Sequence, residues 1–136
     1  MKALSLLQPW ASAIMLGGKR IETRSWKTEY RGLIAIHASK KMPKNTRYVL
    51  PPDLNLPLGA ILGTVTLSDV KRVEEVKGNL SAWELALGDY SDGRWAWLLT
   101  DIMPFDQPIY CKGALGLWKV PEEIGEQLIE RLIYGG

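Results

Sequence analysis

Apolar, β-branched runs recur along this chain, and most of the stretches between them are too short to hold a crossover helix. Parallel α/β sheets need connections of a dozen or more residues, usually helical, between successive strands. The spacing therefore favours a curled, mostly antiparallel sheet or a small open barrel. Strands are expected over residues 2–7, 20–26, 33–38, 58–70, 95–103, 109–112 and 115–120, with a turn at Asp106-Gln107-Pro108 separating the fifth from the sixth. Gly63, inside the longest run, marks a bulge or a bend. Short helices are expected over 9–16, 44–50 and 81–87, and a closing helix begins at Pro121. Pro9 suits a first helical position, and Ser81 with Glu84 three residues on forms a capping signature.

Composition narrows the class. The chain has 136 residues, 46% hydrophobic and 24% charged, the balance of an ordinary globular protein in a single domain over residues 1–136. One cysteine, Cys111, forms no internal disulfide, so stability must come from a packed core, and a reducing compartment is the simplest expectation. The longest uncharged run, residues 3–18, is interrupted by Ser5, Gln8, Pro9 and Ser12, and the apolar part ahead of Pro9 is too short for a signal peptide. A cytoplasmic protein without membrane contact is the expectation. No cofactor and no structural metal are expected, because one His and one Cys cannot build a zinc site with the common ligands and no Gly-rich phosphate loop is present.

Charge is unevenly spread. Residues 1–50 hold ten basic and two acidic groups, a net +8, while residues 51–136 hold seven basic and thirteen acidic groups, a net −6. Such asymmetry suggests a polyanionic partner for the basic half. Mutual neutralisation of the two halves across one domain is the simpler alternative.

The informative stretch runs through Gln8-Pro9-Trp10-Ala11-Ser12, residues 18–26, Tyr30-Arg31-Gly32 and Ile36-His37-Ala38. On a strand, Glu22, Arg24 and Trp26 point the same way. A carboxylate, a guanidinium and an indole on one face can hold a base by bidentate hydrogen bonding and stacking. The plainer reading is a Glu22–Arg24 pair that satisfies a half-buried strand. Amide groups at the start of the helix after Pro9 would offer a weak anion site. His37 reads as a hydrogen-bonded structural residue, the Lys40-Lys41 run as a solvated face, and Trp95 and Trp97 as core.

In these residues the chain resembles the ASCH domain family, and within it the activating signal cointegrator-like branch. The likeness lies in Gln8-Pro9-Trp10-Ala11-Ser12, Gly18-Lys19-Arg20-Ile21-Glu22, Arg24-Ser25-Trp26, Arg31-Gly32 and Lys40-Lys41, with weaker matches through residues 59–70, Lys112-Gly113 and Trp118-Lys119. The resemblance implies an α+β, mostly β, PUA-like open barrel of about six strands flanked by short helices. It also implies a cleft holding Lys19, Glu22 and Arg24, and an association with nucleic acid. Some members are hydrolases of an acylated cytidine nucleoside or ribonucleases. In the nucleoside-hydrolysing branch a Thr stands where this chain has Glu22.

The leading expectation is a module that binds RNA or single-stranded DNA, alone or within a larger protein assembly. Lys19, Arg24, Arg31, Lys40 and Lys41 would hold phosphate; Trp10, Trp26 or Tyr30 would stack a base, with Ser12 nearby. Glu22 would read a base edge or fix Arg24. The alternatives are a nucleotide-directed hydrolase with Lys19 and Glu22 as proton-transfer groups and Tyr30, Ser12 and Ser25 as their partners, and a protein-interaction module.

Overall fold

A computed structural model of the chain describes residues 1–41 and 56–135. The helix expected over 44–50 lies outside the described residues. Six strands form one sheet: β1 (Lys2–Leu6), β2 (Ile21–Arg24), β3 (Gly32–Ala38), β4 (Ala60–Arg72), β5 (Trp95–Tyr110) and β6 (Leu117–Lys119). Their order is β2-β5-β4-β3-β1-β6, antiparallel except for the β1–β3 pair. The sheet curls into a half-barrel flanked by short helices, a PUA-like arrangement. Three strands separate β2 from β1 in the sheet order, yet Arg24 on β2 donates from Nη2 to the carbonyl of Ser5 on β1 at 2.9 Å. Only a curled sheet brings those two strands together.

Side-chain alternation explains what fills the curl. Leu4 and Leu6 of β1 and Ile34 and Ile36 of β3 belong to one buried cluster, together with Val65, Leu67 and Trp97. The short helix α1 (Trp10–Leu16) adds Ala11, Ile14 and Met15 to that cluster, so it plugs the concave side. The intervening residues Ala3 and Ala35 face the other way. There they join Ile61, Ile109, Trp118, Ile124 and Leu128, where α4 (Glu122–Tyr134) packs. A helical turn α2 (Val73–Val76), one 3-10 turn (Lys77–Asn79) and α3 (Ala82–Ala86) fill the long β4–β5 connection. Ser81 caps α3 as its sequence signature predicts, accepting from the Glu84 amide at 3.2 Å.

Three expectations change. The turn at Asp106-Gln107-Pro108 does not end a strand: β5 runs on through it. Gly63 pairs with Pro104 and Ile61 with Ile109, so residues 105–108 bulge opposite Leu62 alone. The strand expected over 20–26 is shorter, and Ser25 and Trp26 lie in a bend beyond Arg24. Pro9 is the residue before α1 rather than its first, after a cis Gln8–Pro9 bond. Among the described residues, no helix is long and apolar enough to cross a membrane.

Candidate functional site

The edge strand β2 alternates buried and partly exposed residues, which sends Ile21 and Thr23 inward and Glu22 and Arg24 to one face. Arg24 Nε lies 3.1 Å from Glu22 Oε2. With the Ser5 carbonyl on Nη2, the guanidinium is held from two sides. Behind this pair sits Lys19, fully buried, its Nζ donating to the Ile21 carbonyl and lying 3.9 Å from Glu22 Oε1. Burial lowers the Lys19 ammonium below its ordinary value, opposed by the carboxylates of Glu22 and Glu84. Burial raises the Glu22 carboxyl, opposed by Arg24, Lys19 and Arg94. Glu84 itself is buried and accepts from the Arg20 amide. Two carboxylates and two cations thus form a balanced cluster, and only its Glu22–Arg24 side is partly exposed.

A cleft of about 520 Å³ opens in front of it. Trp10, Trp26, Glu22, Arg24, Asp89 and Arg94 are among its walls. Trp26 stands edge-on to the buried Trp97, centroids 4.8 Å apart, and accepts from Trp97 Nε1 through its carbonyl at 3.3 Å. Its indole is thereby fixed although the residue has left the strand. Arg94 donates to the Thr23 carbonyl at 3.2 Å and pairs with Asp89 at 3.5 Å. A second cavity of about 480 Å³ shares Ser5, Leu7 and Arg24 with the first, and reaches Lys40 and Lys112.

The structure thus brings together Trp10, Glu22, Arg24, Ser25 and Trp26, and puts Lys40 in the adjoining cavity. It separates the others. Lys19 is enclosed and turned to its own backbone, so it presents no ammonium to a ligand. Ser12 is buried in α1, its hydroxyl accepting from Gln8 Nε2 at 2.8 Å. Gln8 Oε1 takes the Ser12 amide and the Leu7 carbonyl takes the Trp10 amide, so those two amides at the start of α1 are not free for an anion. Tyr30 donates to the Leu33 carbonyl at 2.7 Å and packs on the core. Arg31 is exposed away from both cavities, donating to the Thr28 and Tyr30 carbonyls and lying 3.6 Å from Asp69. Lys41 is exposed and lines neither cavity. His37 bridges Ser5 Oγ and the Cys111 carbonyl, each at 2.9 Å, a structural role. Residue-by-residue reading passed over Ser5, Asp89 and Arg94 as site residues, which come from distant segments and carry no local motif, and met Lys112 only in the weak Lys112-Gly113 match, with no role in the site. Among the described residues, no group of three or more His, Cys, Asp or Glu is placed to hold a metal ion.

Residues 4–109 match the ASCH domain. Activating signal cointegrator 1 of Homo sapiens is 28% identical over 134 residues, and that of Mus musculus 29% over 137. Each alignment covers 89% of this chain but 22% of the relative, so the chain spans about a fifth of those proteins' length. The crystal structure of ASCH from Zymomonas mobilis superposes with a TM-score of 0.63 at 20% identity, covering 95% of this chain and 93% of that one. A tyrosine-to-phenylalanine variant of the same Zymomonas mobilis protein gives a TM-score of 0.62 at 20% identity, covering 95% and 96%. Over the stretch that builds both the curled sheet and its cleft, the chain belongs to the ASCH domain family.

Proposed function

We propose that the chain is a cytoplasmic module that binds single-stranded nucleic acid, RNA or DNA, in the cleft at Glu22 and Arg24. One observation carries this reading: a partly exposed guanidinium, fixed by Glu22 and the Ser5 carbonyl, stands where two cavities meet, with Trp10 and Trp26 in the wall. Arginine presents a planar fork of donors suited to base edges and phosphates. Among the described residues its Nη1 has no hydrogen-bond partner, so that part of the fork is available. A stacked base contributes roughly 1–3 kcal/mol. One or two stacks with a few phosphate contacts give micromolar-class affinity, which a larger assembly would raise.

The test is fluorescence anisotropy with labelled single-stranded RNA and DNA of one sequence. Wild type is expected to bind both. Arg24→Ala and Arg24→Lys are each expected to lose at least about tenfold in affinity, because an ammonium does not replace a forked donor. Wild-type binding by a folded Arg24→Lys protein would remove the guanidinium from its assigned role.

A hydrolase is the second reading, favoured by the elevated proton affinity of Glu22, a group at the cleft wall. Lys19 does not reach a substrate, which leaves Glu22 as the proton-transfer group. Loss of a general acid or base typically costs about 10²–10⁴-fold in rate. Wild type and Glu22→Gln are incubated with mixed RNA and modified nucleosides and the products compared. The binding reading expects no Glu22-dependent product, and Gln-variant binding equal to wild type or slightly tighter. Cleavage by wild type that disappears in Glu22→Gln would favour the enzyme. Indifference to every nucleic acid would favour a protein-interaction module.

A further inference from the structure

The two cavities that meet at Arg24 differ in charge. The first has two carboxylates in its walls, Glu22 and Asp89, against Arg24 and Arg94. Arg94 is already occupied by Asp89 and the Thr23 carbonyl. A phosphate placed there would face both acids, whereas an uncharged ring with donors and acceptors would meet partners of both kinds and two indoles. The second cavity has three cations among its described lining residues, Arg24, Lys40 and Lys112, and none of those residues is acidic.

The second cavity is also built from the chain's close approaches. The Lys40 stem crosses Gly59, where an added Cβ would lie 2.7 Å from Lys40 Cγ. Opposite, the loop after β5 presses Gly113 onto His37 and Ser5, so close that an added Cβ would lie 2.7 Å from both His37 Nδ1 and Ser5 Oγ. Lys112 heads that loop and is exposed. His37 lines the cavity, but Ser5 Oγ and the Cys111 carbonyl occupy its two ring nitrogens.

We propose that the second cavity is the phosphate subsite of the nucleic-acid site proposed above, a reading on which this inference rests. A nucleotide lies across Arg24 with its base in the first cavity, beside Trp10 and Trp26, and its phosphate in the second, against Lys40 and Lys112. Arg24 serves both, as a forked donor can; the lysines act as compact charges that tolerate varied phosphate geometry. The ligand is thus read by polarity, with the acidic wall repelling phosphate from the base side.

Calorimetric titrations compare the four ribonucleosides, their 5′-monophosphates and dinucleotides lacking a terminal phosphate, at matched ionic strength. For wild type, monophosphates are expected to bind at least about tenfold tighter than nucleosides. A Lys40→Ala, Lys112→Ala double variant is expected to erase that gap and leave nucleoside affinity unchanged. Both lysines are exposed, so the fold is not at risk, and Lys71→Ala, exposed on β4 outside both cavities, serves as the charge control. Dinucleotides that match the monophosphates would show that an internal phosphodiester fills the subsite; dinucleotides that match the nucleosides would show that a terminal phosphate does. A double variant that keeps the gap, or a control that loses it equally, overturns the subsite. If RNA binds wild type and the double variant equally, the subsite falls and the binding module stands. If wild type binds neither RNA nor any nucleotide, both fall.

Discussion

Lys19 shows how far a single side chain's role depends on residues remote in sequence. Its proximity to Glu22 is local, but its enclosure also involves Glu84, which comes from a different element. A motif that places Lys, Glu and Arg within six positions reads naturally as three groups facing one ligand. The structure divides them into a buried support and a partly exposed pair. Lys19→Met is therefore expected to destabilise the fold by about 2–3 kcal/mol, somewhat less than breaking a fully buried ion pair, because Glu22 retains Arg24. Urea unfolding checks the value. Loss of nucleic-acid affinity with an unchanged unfolding midpoint would contradict the supporting role. His37 gives a pH test. Burial lowers its proton affinity below the ordinary value of 6.5, against the Cys111 carbonyl. The unfolded chain then takes up the proton more readily, so this contribution is present above pH 6.5 and is lost as pH falls through that value toward the folded one. His37→Gln is expected to flatten the drop in urea midpoint between about pH 7.5 and about pH 5.5. An identical drop in the variant would mean other groups cause it.

At the scale of elements, Gly63 and the β5 bulge are one device. Opposite Gly63 the Met103 carbonyl comes so near that an added Cβ would collide with it, while Met15 Sδ would lie at 2.7 Å and Pro104 Cα at 2.9 Å. Backbone cannot yield as a flexible side-chain end can. Gly63→Ala is expected to cost about 1–3 kcal/mol, through overpacking of α1 against the bend. A urea midpoint within error of wild type would show that the strands adjust freely. The sequence marks Gly63 as a bulge or bend, as found, but marks Asp106-Gln107-Pro108 as a turn between two strands, where the chain instead bulges within one. What local reading lacked was the partner strand: a turn signal and a bulge signal use the same residues, and only pairing of Ile61 with Ile109 shows that the chain continues forward. The face shared by Glu22 and Arg24 was legible from alternation alone. The Lys112–Gly113 contribution was not, because its significance lies in a loop folding back onto β1 and β3.

At the scale of the whole molecule, the charge asymmetry between the halves is partly dissolved by folding. Of the basic residues in the first half, Lys19 is consumed by carboxylates and Arg31 lies beside Asp69, an acid from the second half. The cations around the paired cavities are Arg24, Arg94, Lys40 and Lys112, of which Arg94 is paired with Asp89, with Lys41 next in sequence to Lys40. Lys112 comes from the half that is acidic on balance. The electrostatic footprint is thus a product of the curl that joins β2 to β1, and it is smaller than the +8 of residues 1–50 implies. Counterion release turns this into a number. Each phosphate neutralised on a single strand contributes about −0.7 to the slope of log K against log salt, so three or four contacts give a slope of about −2 to −3. Five contacts, as the sequence alone invites, would give about −3.5. Anisotropy titrations from low to physiological ionic strength distinguish the two. The Lys40→Ala, Lys112→Ala variant is expected to flatten the slope by about 0.7, the loss of the one phosphate held in the second cavity. A wild-type isotherm indifferent to salt would leave the paired cavities without a phosphate to hold.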